Sequence, residues 1–239
     1  MSPVGRKRIR SCPVKIIDKI MQHIQIEKTA DGSHTFFVPE LDEHYHSTNG
    51  ALTESKHVFI ENGLKQTDKK DISILEIGFG TGLNAILSYL EAKLKNIHIY
   101  YTTIELYPIG EAQIKQLNFP DQIGINRSAF ESLHRCEWDE DIRIDPFFTL
   151  HKIKGDLTKE RFDRQFDLIY FDAFAPDKQP EMWTPEIFSH LFEQTASKGI
   201  LTTYCAKGSV RRMLQAAGYA TERLPGPPGK REMLRARRF

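Results

Sequence analysis

Three glycines, Gly78, Gly80 and Gly82, follow an apolar segment with the spacing G-x-G-x-G. The residues before them predict a buried strand, and those after them predict a helix. Glycine permits a left-handed backbone there and lets the main chain approach a ligand closely. Leu83 stands where a dinucleotide-binding fingerprint has its third glycine, which disfavours NAD. The pattern therefore predicts a nucleotide-like cofactor that has no pyrophosphate.

Acidic residues near the ends of predicted strands could bind the polar parts of such a cofactor. Glu76, just before the glycines, disfavours a phosphate and could hold an ammonium group. Glu105 ends the next strand, where a carboxylate can accept hydrogen bonds from two ribose hydroxyls. Asp156 follows a third strand and could accept the exocyclic amine of adenine while Leu157 packs on the ring. Taken singly, each acid could equally be a strand-end or helix-capping residue.

A further acid, Asp172, ends another apolar strand and begins the segment D-A-F-A-P-D-K-Q-P-E-M-W. Two prolines favour an extended, stiff loop over this segment. Its aromatic residues, Phe174 and Trp183, could stack against a base. By itself Asp172 could also cap a turn. Its place at the expected ligand-binding edge of the sheet favours a role in chemistry.

The elements that must position these residues alternate between strand and helix from Ile72 onward. Strands are predicted at 72–77, 97–104, 147–153, 166–171, 199–204, 219–223 and 232–236, and helices at 81–94, 109–117, 128–138, 185–196 and 209–217. This alternation predicts an α/β fold with a doubly wound, mostly parallel sheet that binds its ligand at the carboxyl ends of the strands. The last two strands flank a Pro/Gly turn and predict an antiparallel hairpin at the sheet edge.

The segment before Ile72 differs in character. Residues 1–13 are rich in arginine and lysine and predict a flexible basic arm. Residues 14–71 predict an extension with a β-hairpin around Asp31-Gly32, a short helix at 53–59 and a linker at 62–71. The polar stretch 40–50 predicts a loop, in which Tyr45 and His46 would cover the site. Residues 72–239 form the predicted catalytic domain.

Composition excludes several classes of protein. The chain has 239 residues and a formal net charge of +1. Its three cysteines include no C-x-x-C pair, so neither a disulfide framework nor a zinc site is expected. His44 and His46 lack a third ligand at a recognised spacing, and no metal site is predicted. There is no apolar run of membrane-spanning length and no signal peptide, which predicts a cytoplasmic protein.

Basic residues recur toward the carboxyl end of the chain, although the net charge alone argues neither for nor against a polyanionic partner. They are Lys207, Arg211, Arg212, Lys230, Arg231, Arg235, Arg237 and Arg238. Such groups could contact the phosphates of a nucleic acid. Each cluster alone is more often a solvated surface. Lys230 and Arg231, in the loop of the terminal hairpin, are the leading candidates for a substrate contact.

The segment that begins at Asp172 resembles the D-A-F-A-P-x-K-x-P-x-M-W signature of the MnmC/MnmD family of S-adenosyl-L-methionine (SAM)-dependent tRNA methyltransferases. Four further segments agree with that family: H-S-T-N-G-A-L-T-E-S at 46–55, G-F-G-T-G-L-N at 78–84, T-Y-C-A at 203–206 and G-P-P-G-K-R-E-M-L at 226–234. The similarity runs from about Val38 to the carboxyl end. Ala173 stands where relatives often have glycine, a change between two small residues.

The resemblance implies a class I SAM-methyltransferase fold of the Rossmann-like type, without the flavin-dependent oxidase that is often fused to it. The implied activity is methylation of the aminomethyl group of 5-aminomethyl(-2-thio)uridine at the tRNA wobble position, with Asp172 holding or deprotonating the amine. The predicted cofactor-binding residues are Glu76, Gly78, Gly80, Thr81, Gly82, Asn84, Glu105, Asp156 and Leu157. The predicted substrate-binding residues are Tyr45, His46, Phe174, Trp183, Lys230 and Arg231.

The implied partners are the anticodon stem-loop of tRNA and a separate enzyme that generates the aminomethyl group. Two other functions fit the same fold. A spermidine-synthase-like aminopropyltransferase also deprotonates an amine, but the D-A-F-A-P segment and the basic carboxyl end disfavour it. A non-catalytic RNA-binding module is disfavoured by the intact Asp172 and glycine turn.

Overall fold

A computed structural model describes residues 23–239, and the predicted basic arm 1–13 lies outside them. The strands are β1 Gln25–Lys28, β2 His34–Val38, β3 Glu43–His44, β4 Asp71–Ile77, β5 His98–Glu105, β6 Asp141–Asp145, β7 Phe148–Lys154, β8 Phe166–Phe171, β9 Thr195–Thr203, β10 Ala220–Pro225 and β11 Glu232–Arg237. The α-helices are α1 Ala51–Ser55, α2 Leu83–Lys95, α3 Glu111–Gln116, α4 Phe119–Ile123, α5 Arg127–Arg135, α6 Pro185–Gln194 and α7 Gly208–Ala217. A π-helical turn at Lys56–Glu61 continues α1.

Eight strands form the central sheet in the order β10-β11-β9-β8-β4-β5-β7-β6. The five inner strands from β9 to β7 run parallel, and β6, β10 and β11 are antiparallel to their neighbours. This confirms the predicted mostly parallel sheet with a terminal antiparallel hairpin at its edge. Strand β4 (DISILEI) is buried over most of its length, as expected for the middle of a parallel sheet. The strand order reverses beside β4, which places a ligand-binding crevice at its carboxyl end.

Several element boundaries differ from the prediction. Strand β6 was not predicted, because its sequence DIRID is charged and only half buried at the sheet edge. Helix α5 ends at Arg135 rather than at residue 138, because the backbone of Cys136 is extended. The centroid of the Trp138 ring lies 4.6 Å from the Lys152 ammonium. Strand β9 begins at Thr195, four residues before the predicted start at 199. Its pairing register with β8 shifts near the start of the strand. The predicted helix 109–117 is shorter, and α4 follows it.

The amino-terminal extension forms a small antiparallel sheet of its own. Strands β1 and β2 pair around Asp31-Gly32, which confirms the predicted hairpin. Strand β3 adds a third member within the stretch predicted as a loop. The predicted helix at 53–59 is present as α1 and the π-helical turn that follows it.

This extension shares one apolar core with the large sheet. Phe59 packs against Tyr170 of β8 with ring centroids 5.0 Å apart. Leu64, in the segment predicted as a linker, is 1% exposed and belongs to the same cluster as Ile74 and Leu83. The segment is therefore a packed connection rather than a free linker. Within residues 23–239 no helix combines the length and the apolar character needed to span a membrane.

Replacing Leu64 by alanine tests this shared core. We expect Leu64→Ala to lower the free energy of unfolding by about 2–5 kcal/mol, because a buried side chain is lost and a cavity is left. Lys56→Ala, at an exposed position of the preceding turn, should change it by less than about 0.5 kcal/mol. Urea unfolding measures both. Equal small effects would contradict a common core.

Candidate active site

A cavity of about 470 Å³ opens at the carboxyl ends of β4, β5, β7 and β8. The extension closes it from the other side through the segment from Glu43 to Thr48, and Glu54 of α1 also lines it. Its volume lies within the roughly 300–1,000 Å³ of small-molecule sites. The cavity therefore lies in the crevice that the strand order predicts.

The glycine turn forms the floor of this cavity with its main chain. Gly78, Gly80 and Gly82 have φ of 92°, 49° and 71°, a region that side chains rarely adopt. A Cβ on Gly78 would lie 3.0 Å from the carbonyl oxygen of Asp172. A Cβ on Gly80 would lie 3.2 Å from the Tyr45 ring. The turn thus needs glycine both for its conformation and for the close approach of its neighbours.

Glu105 is held beside this turn by main-chain hydrogen bonds. Its Oε2 accepts from Gly80 N at 3.0 Å and its Oε1 from Tyr107 N at 2.9 Å. Burial raises the pKa of Glu105, and these amide donors act in the opposite direction. The carboxyl group is therefore oriented at the end of β5, where it could meet hydroxyl groups of a ligand.

Asp156 and Leu157 line the same cavity beyond β7. The Asp156 carboxylate accepts hydrogen bonds from Thr158 N at 3.0 Å and Thr158 Oγ1 at 2.7 Å. The Lys159 ammonium, 2.9 Å away, is the main cause of a lowered Asp156 pKa. This residue thus combines the turn-capping geometry with a position in the cavity wall.

Asp172 lies across the cavity floor from Glu105. Its backbone N donates to Ile77 O at 3.1 Å, which ties β8 to the end of β4. Asn84 Nδ2, in the first turn of α2, donates to Asp172 Oδ2 at 2.8 Å. Burial, and then the negative charge of Glu54, raise the pKa of Asp172 well above its usual range. A carboxyl group with this environment is suited to accept a proton.

The wall of the cavity on the side of the amino-terminal extension, called the outer wall, contains Tyr45, His46, Thr81 and Phe174. The rings of Tyr45 and Phe174 meet edge to face, with centroids 5.2 Å apart. His46 is buried, its Nε2 lies 2.7 Å from Thr81 Oγ1, and burial lowers its pKa to about 4. The histidine is therefore neutral near pH 7 and joins the extension to the glycine turn.

Four predicted site residues do not line the cavity: Glu76, Gly82, Trp183 and Arg231. Glu76 is wholly buried beneath the turn, and its contact with a ligand ammonium stays a prediction. Trp183 is 5% exposed and packs on Phe171 and Tyr204, so its ring is covered by the protein rather than open to a base in this structure.

The environments of these four residues explain the difference. Burial raises the pKa of Glu76 well above its usual value. Trp183 Nε1 donates to Phe174 O at 2.7 Å, so the indole supports the loop from inside. A Cβ on Gly82 would meet the His134 ring rather than the cavity. Arg231 is exposed next to Lys230, whose own side chain does reach the cavity.

Among the residues of the cavity wall that sequence reasoning did not single out are Glu54 and Tyr204. Glu54 accepts hydrogen bonds from Ser47 N at 2.8 Å and from Lys230 Nζ at 2.5 Å. The Lys230 ammonium also lies 4.0 Å from the centroid of the Tyr204 ring. Both residues fall in segments that resemble the family, which is the signal that could have singled them out.

Many of the basic residues expected to meet phosphates have partners inside the protein. Lys207 pairs with Asp177, and Arg235 and Arg237 both pair with Glu222. Arg238 donates to main-chain carbonyls at the carboxyl end of α6, at 2.7 Å for Phe192 O and Thr195 O. Arg212 of α7 is exposed. Surface ion pairs are weak, so they would not prevent binding of a polyanion.

Comparisons with known proteins agree with this site. Residues 129–238 match a family described as S-adenosyl-L-methionine-dependent methyltransferase. The chain is 31% identical to the tRNA 5-methylaminomethyl-2-thiouridine biosynthesis bifunctional protein MnmC of Pseudomonas syringae pv. syringae, over 90% of this chain and 34% of that protein. For MnmC of Pseudomonas savastanoi pv. phaseolicola the identity is 32%, over 82% and 32%. The chain thus spans about a third of the length of these relatives.

A solved structure resembles the whole fold. The crystal structure of MnmC2 from Aquifex aeolicus superposes with a TM-score of 0.74 and 26% identity, covering 95% of this chain and 78% of that one. The cavity fits SAM on its own residues, because Gly78 and Gly80 expose main chain at its floor and Glu105 offers carboxylate oxygens beside them. Gly78, Gly80, Thr81, Glu105, Asp156 and Leu157 would hold the cofactor.

The fit predicts a specific effect of Gly78→Ala. A Cβ there meets the Asp172 carbonyl, so we expect SAM affinity to fall at least about tenfold, or about 1.4 kcal/mol. Gly124→Ala is the matched control, because its φ is also positive (69°) but its Cβ would have no neighbour within 4 Å. It should lose some stability and keep SAM affinity. Titration calorimetry measures both, and unchanged affinity in Gly78→Ala would contradict the assigned turn.

Fold, cavity and comparisons agree on one kind of enzyme. The parallel sheet supplies the crevice, the glycine turn supplies the floor, the matched family is described as a SAM-dependent methyltransferase, and the relatives are MnmC proteins. The chain is therefore a SAM-dependent methyltransferase with the class I fold, similar in sequence to MnmC proteins and in structure to MnmC2 from Aquifex aeolicus.

Proposed function

We propose that this enzyme methylates the aminomethyl group of 5-aminomethyl(-2-thio)uridine at the wobble position of tRNA, giving 5-methylaminomethyl(-2-thio)uridine. The observation that carries the proposal is the position of Asp172 in the wall of the predicted SAM cavity, where Asn84 orients its carboxyl group. The printed names of the MnmC relatives, which specify 5-methylaminomethyl-2-thiouridine biosynthesis, support the same acceptor. A tRNA substrate would also agree with the predicted location in the cytoplasm.

The chemistry requires an unprotonated amine. A primary alkylamine, like lysine, has a pKa near ~10.4 and is mostly charged at pH 7, so it must lose a proton before its lone pair can react. SAM, when bound, supplies a methyl group attached to a positively charged sulfur, and this sulfur is the leaving group of the transfer. Asp172 would orient the neutral amine and accept the proton that the nitrogen gives up once it has taken the methyl group. The raised pKa of Asp172 makes its carboxylate a better proton acceptor.

The substrate must also reach this cavity. A wobble base in a tRNA loop can enter only when it is turned out of the stack. The Tyr45 and Phe174 rings at the outer wall offer aromatic faces against which such a base could lie. The anticodon stem-loop is thus the proposed partner. A separate enzyme would supply the aminomethyl group.

A transfer assay with labelled SAM tests the acceptor. We expect label in tRNA that carries 5-aminomethyl-2-thiouridine, and 5-methylaminomethyl-2-thiouridine after digestion to nucleosides. The same tRNA with an unmodified wobble uridine is the control and should stay unlabelled. Aminopropyl transfer from decarboxylated SAM to putrescine would instead establish the spermidine-synthase-like function. Binding of tRNA without any transfer would indicate an RNA-binding module.

Asp172→Asn tests the role of the carboxylate. We expect kcat to fall at least about 100-fold, because a positioned proton acceptor is removed, while SAM affinity is retained. Asp177→Asn, an exposed acid of the same loop, is the matched control and should keep nearly full activity. Single-turnover transfer and calorimetry measure the two effects. An active Asp172→Asn variant would exclude this mechanism.

A further inference from the structure

A partly buried ion pair lies on the acceptor side of the cavity, meaning the wall formed by Glu54, Asp172, Tyr204 and Lys230. The Lys230 ammonium lies 2.5 Å from Glu54 Oε1, and the two side chains are 31% and 8% exposed. It also lies over the Tyr204 ring. Tyr204 in turn donates through its hydroxyl to Ala173 O at 2.9 Å, beside Asp172.

Two separate elements bring this pair together. Helix α1, which carries Glu54, is anchored by Asp31, whose Oδ2 accepts from Thr53 N at 2.9 Å and from Thr53 Oγ1 at 2.8 Å. The loop between β10 and β11, which carries Lys230, packs so closely on the extension that a Cβ on Gly229 would lie 2.1 Å from Asn49 Nδ2. Burying such a pair contributes little stability by itself, because desolvation offsets the attraction.

The charge of Lys230 bears on the protonation of the acceptor. Without it, the wall would present the carboxylates of Glu54 and Asp172 to the incoming amine. Negative groups within a few ångströms stabilise an ammonium and raise its pKa, which would suppress the reactive form. A lysine ammonium in the wall has the opposite effect. The positive charge of Lys230 lowers the pKa of the Asp172 carboxyl group, whereas the negative charge of Glu54 raises it.

We infer that Lys230, paired with Glu54, is a positioning residue that keeps the acceptor amine unprotonated, by balancing the Glu54 charge on the acceptor side of the cavity. The inference rests on the proposed amine acceptor. In the transfer, the nitrogen lone pair forms the new N–C bond as the methyl–sulfur bond of the donor breaks. The proton left on nitrogen then passes to Asp172.

Other titratable groups face this pair. His46 of the extension feels both Glu54 and Lys230, but its pKa of about 4 leaves it neutral near pH 7. Tyr204 and Cys205, after β9, have pKa values raised by burial and are also uncharged there.

The carboxyl group of Glu43 also lies in the cavity wall. The pKa of Asp172 is already raised. The other lysine that lines the cavity is Lys178, whose ammonium lies 3.4 Å from Asp42 Oδ2.

The pH dependence of kcat/KM for methyl transfer tests the inference. In Lys230→Met we expect the acidic limb of the kcat/KM profile to move to higher pH by about one to two units. At pH values below this limb kcat/KM should fall about 10- to 100-fold, and at alkaline pH it should equal that of the unmodified enzyme. Lys230→Arg keeps the charge and should keep the limb. In the double variant Glu54→Gln/Lys230→Met both charges are gone, and the limb should return toward that of the unmodified enzyme.

A second measurement is independent of activity. Calorimetry in buffers of different ionisation enthalpy counts the protons released when an anticodon stem-loop RNA with 5-aminomethyluridine binds, with the same RNA carrying uridine as reference. At pH 8 the unmodified enzyme should release about one extra proton, because the amine binds in its neutral form. Lys230→Met should release almost none. Thermal unfolding and SAM affinity verify that each variant is folded.

The outcomes separate the two proposals. A loss of activity by the same factor at every pH, or equal proton release by the enzyme and Lys230→Met, would overturn the inference about Lys230 while leaving the proposed function intact. If the unmodified enzyme transfers no methyl group but proton release still depends on Lys230, the proposed reaction fails and the inference stands.

Discussion

The contact between the glycine turn and the end of β8 is the constraint on which the rest of the site depends. Gly78 N donates to Ile104 O at 3.0 Å, and Asp172 N donates to Ile77 O at 3.1 Å. These bonds join the ends of β5, β4 and β8 with almost no space between the main chains. Cofactor and acceptor groups are thereby held at a fixed separation, which a direct transfer between them requires.

The two sides of the cavity have different origins in the chain. The sheet builds the cofactor side, with the glycine turn and Glu105 at the strand ends. The amino-terminal extension and the terminal hairpin build the acceptor side, through Glu54 and Lys230. The shared core around Phe59 and Leu64 therefore also serves the site, because it fixes the extension against the sheet. Burial in this enclosed space is what raises the pKa of Asp172.

Local sequence predicted the elements where one pattern dominates. The apolar strands and the helix after Gly82 follow from periodicity and from the glycine spacing, so their positions agree closely with the structure. Strand β6 did not follow, because its charged sequence becomes a strand only by pairing with β7. The burial of Trp183 was not expected, for a related reason. Its polar neighbours suggested exposure, whereas its indole packs inward on Phe171.

The sequence by itself determined the class of fold, the glycine turn and the acids that end its strands, because these depend on residue type and short spacing. Only the tertiary structure decided which acids reach the cavity. Glu76 precedes the turn yet points into the core, while Glu54 and Lys230, 176 residues apart, meet in the wall. Burial and the partner of each charge come from long-range packing, and these set how each carboxyl group can act.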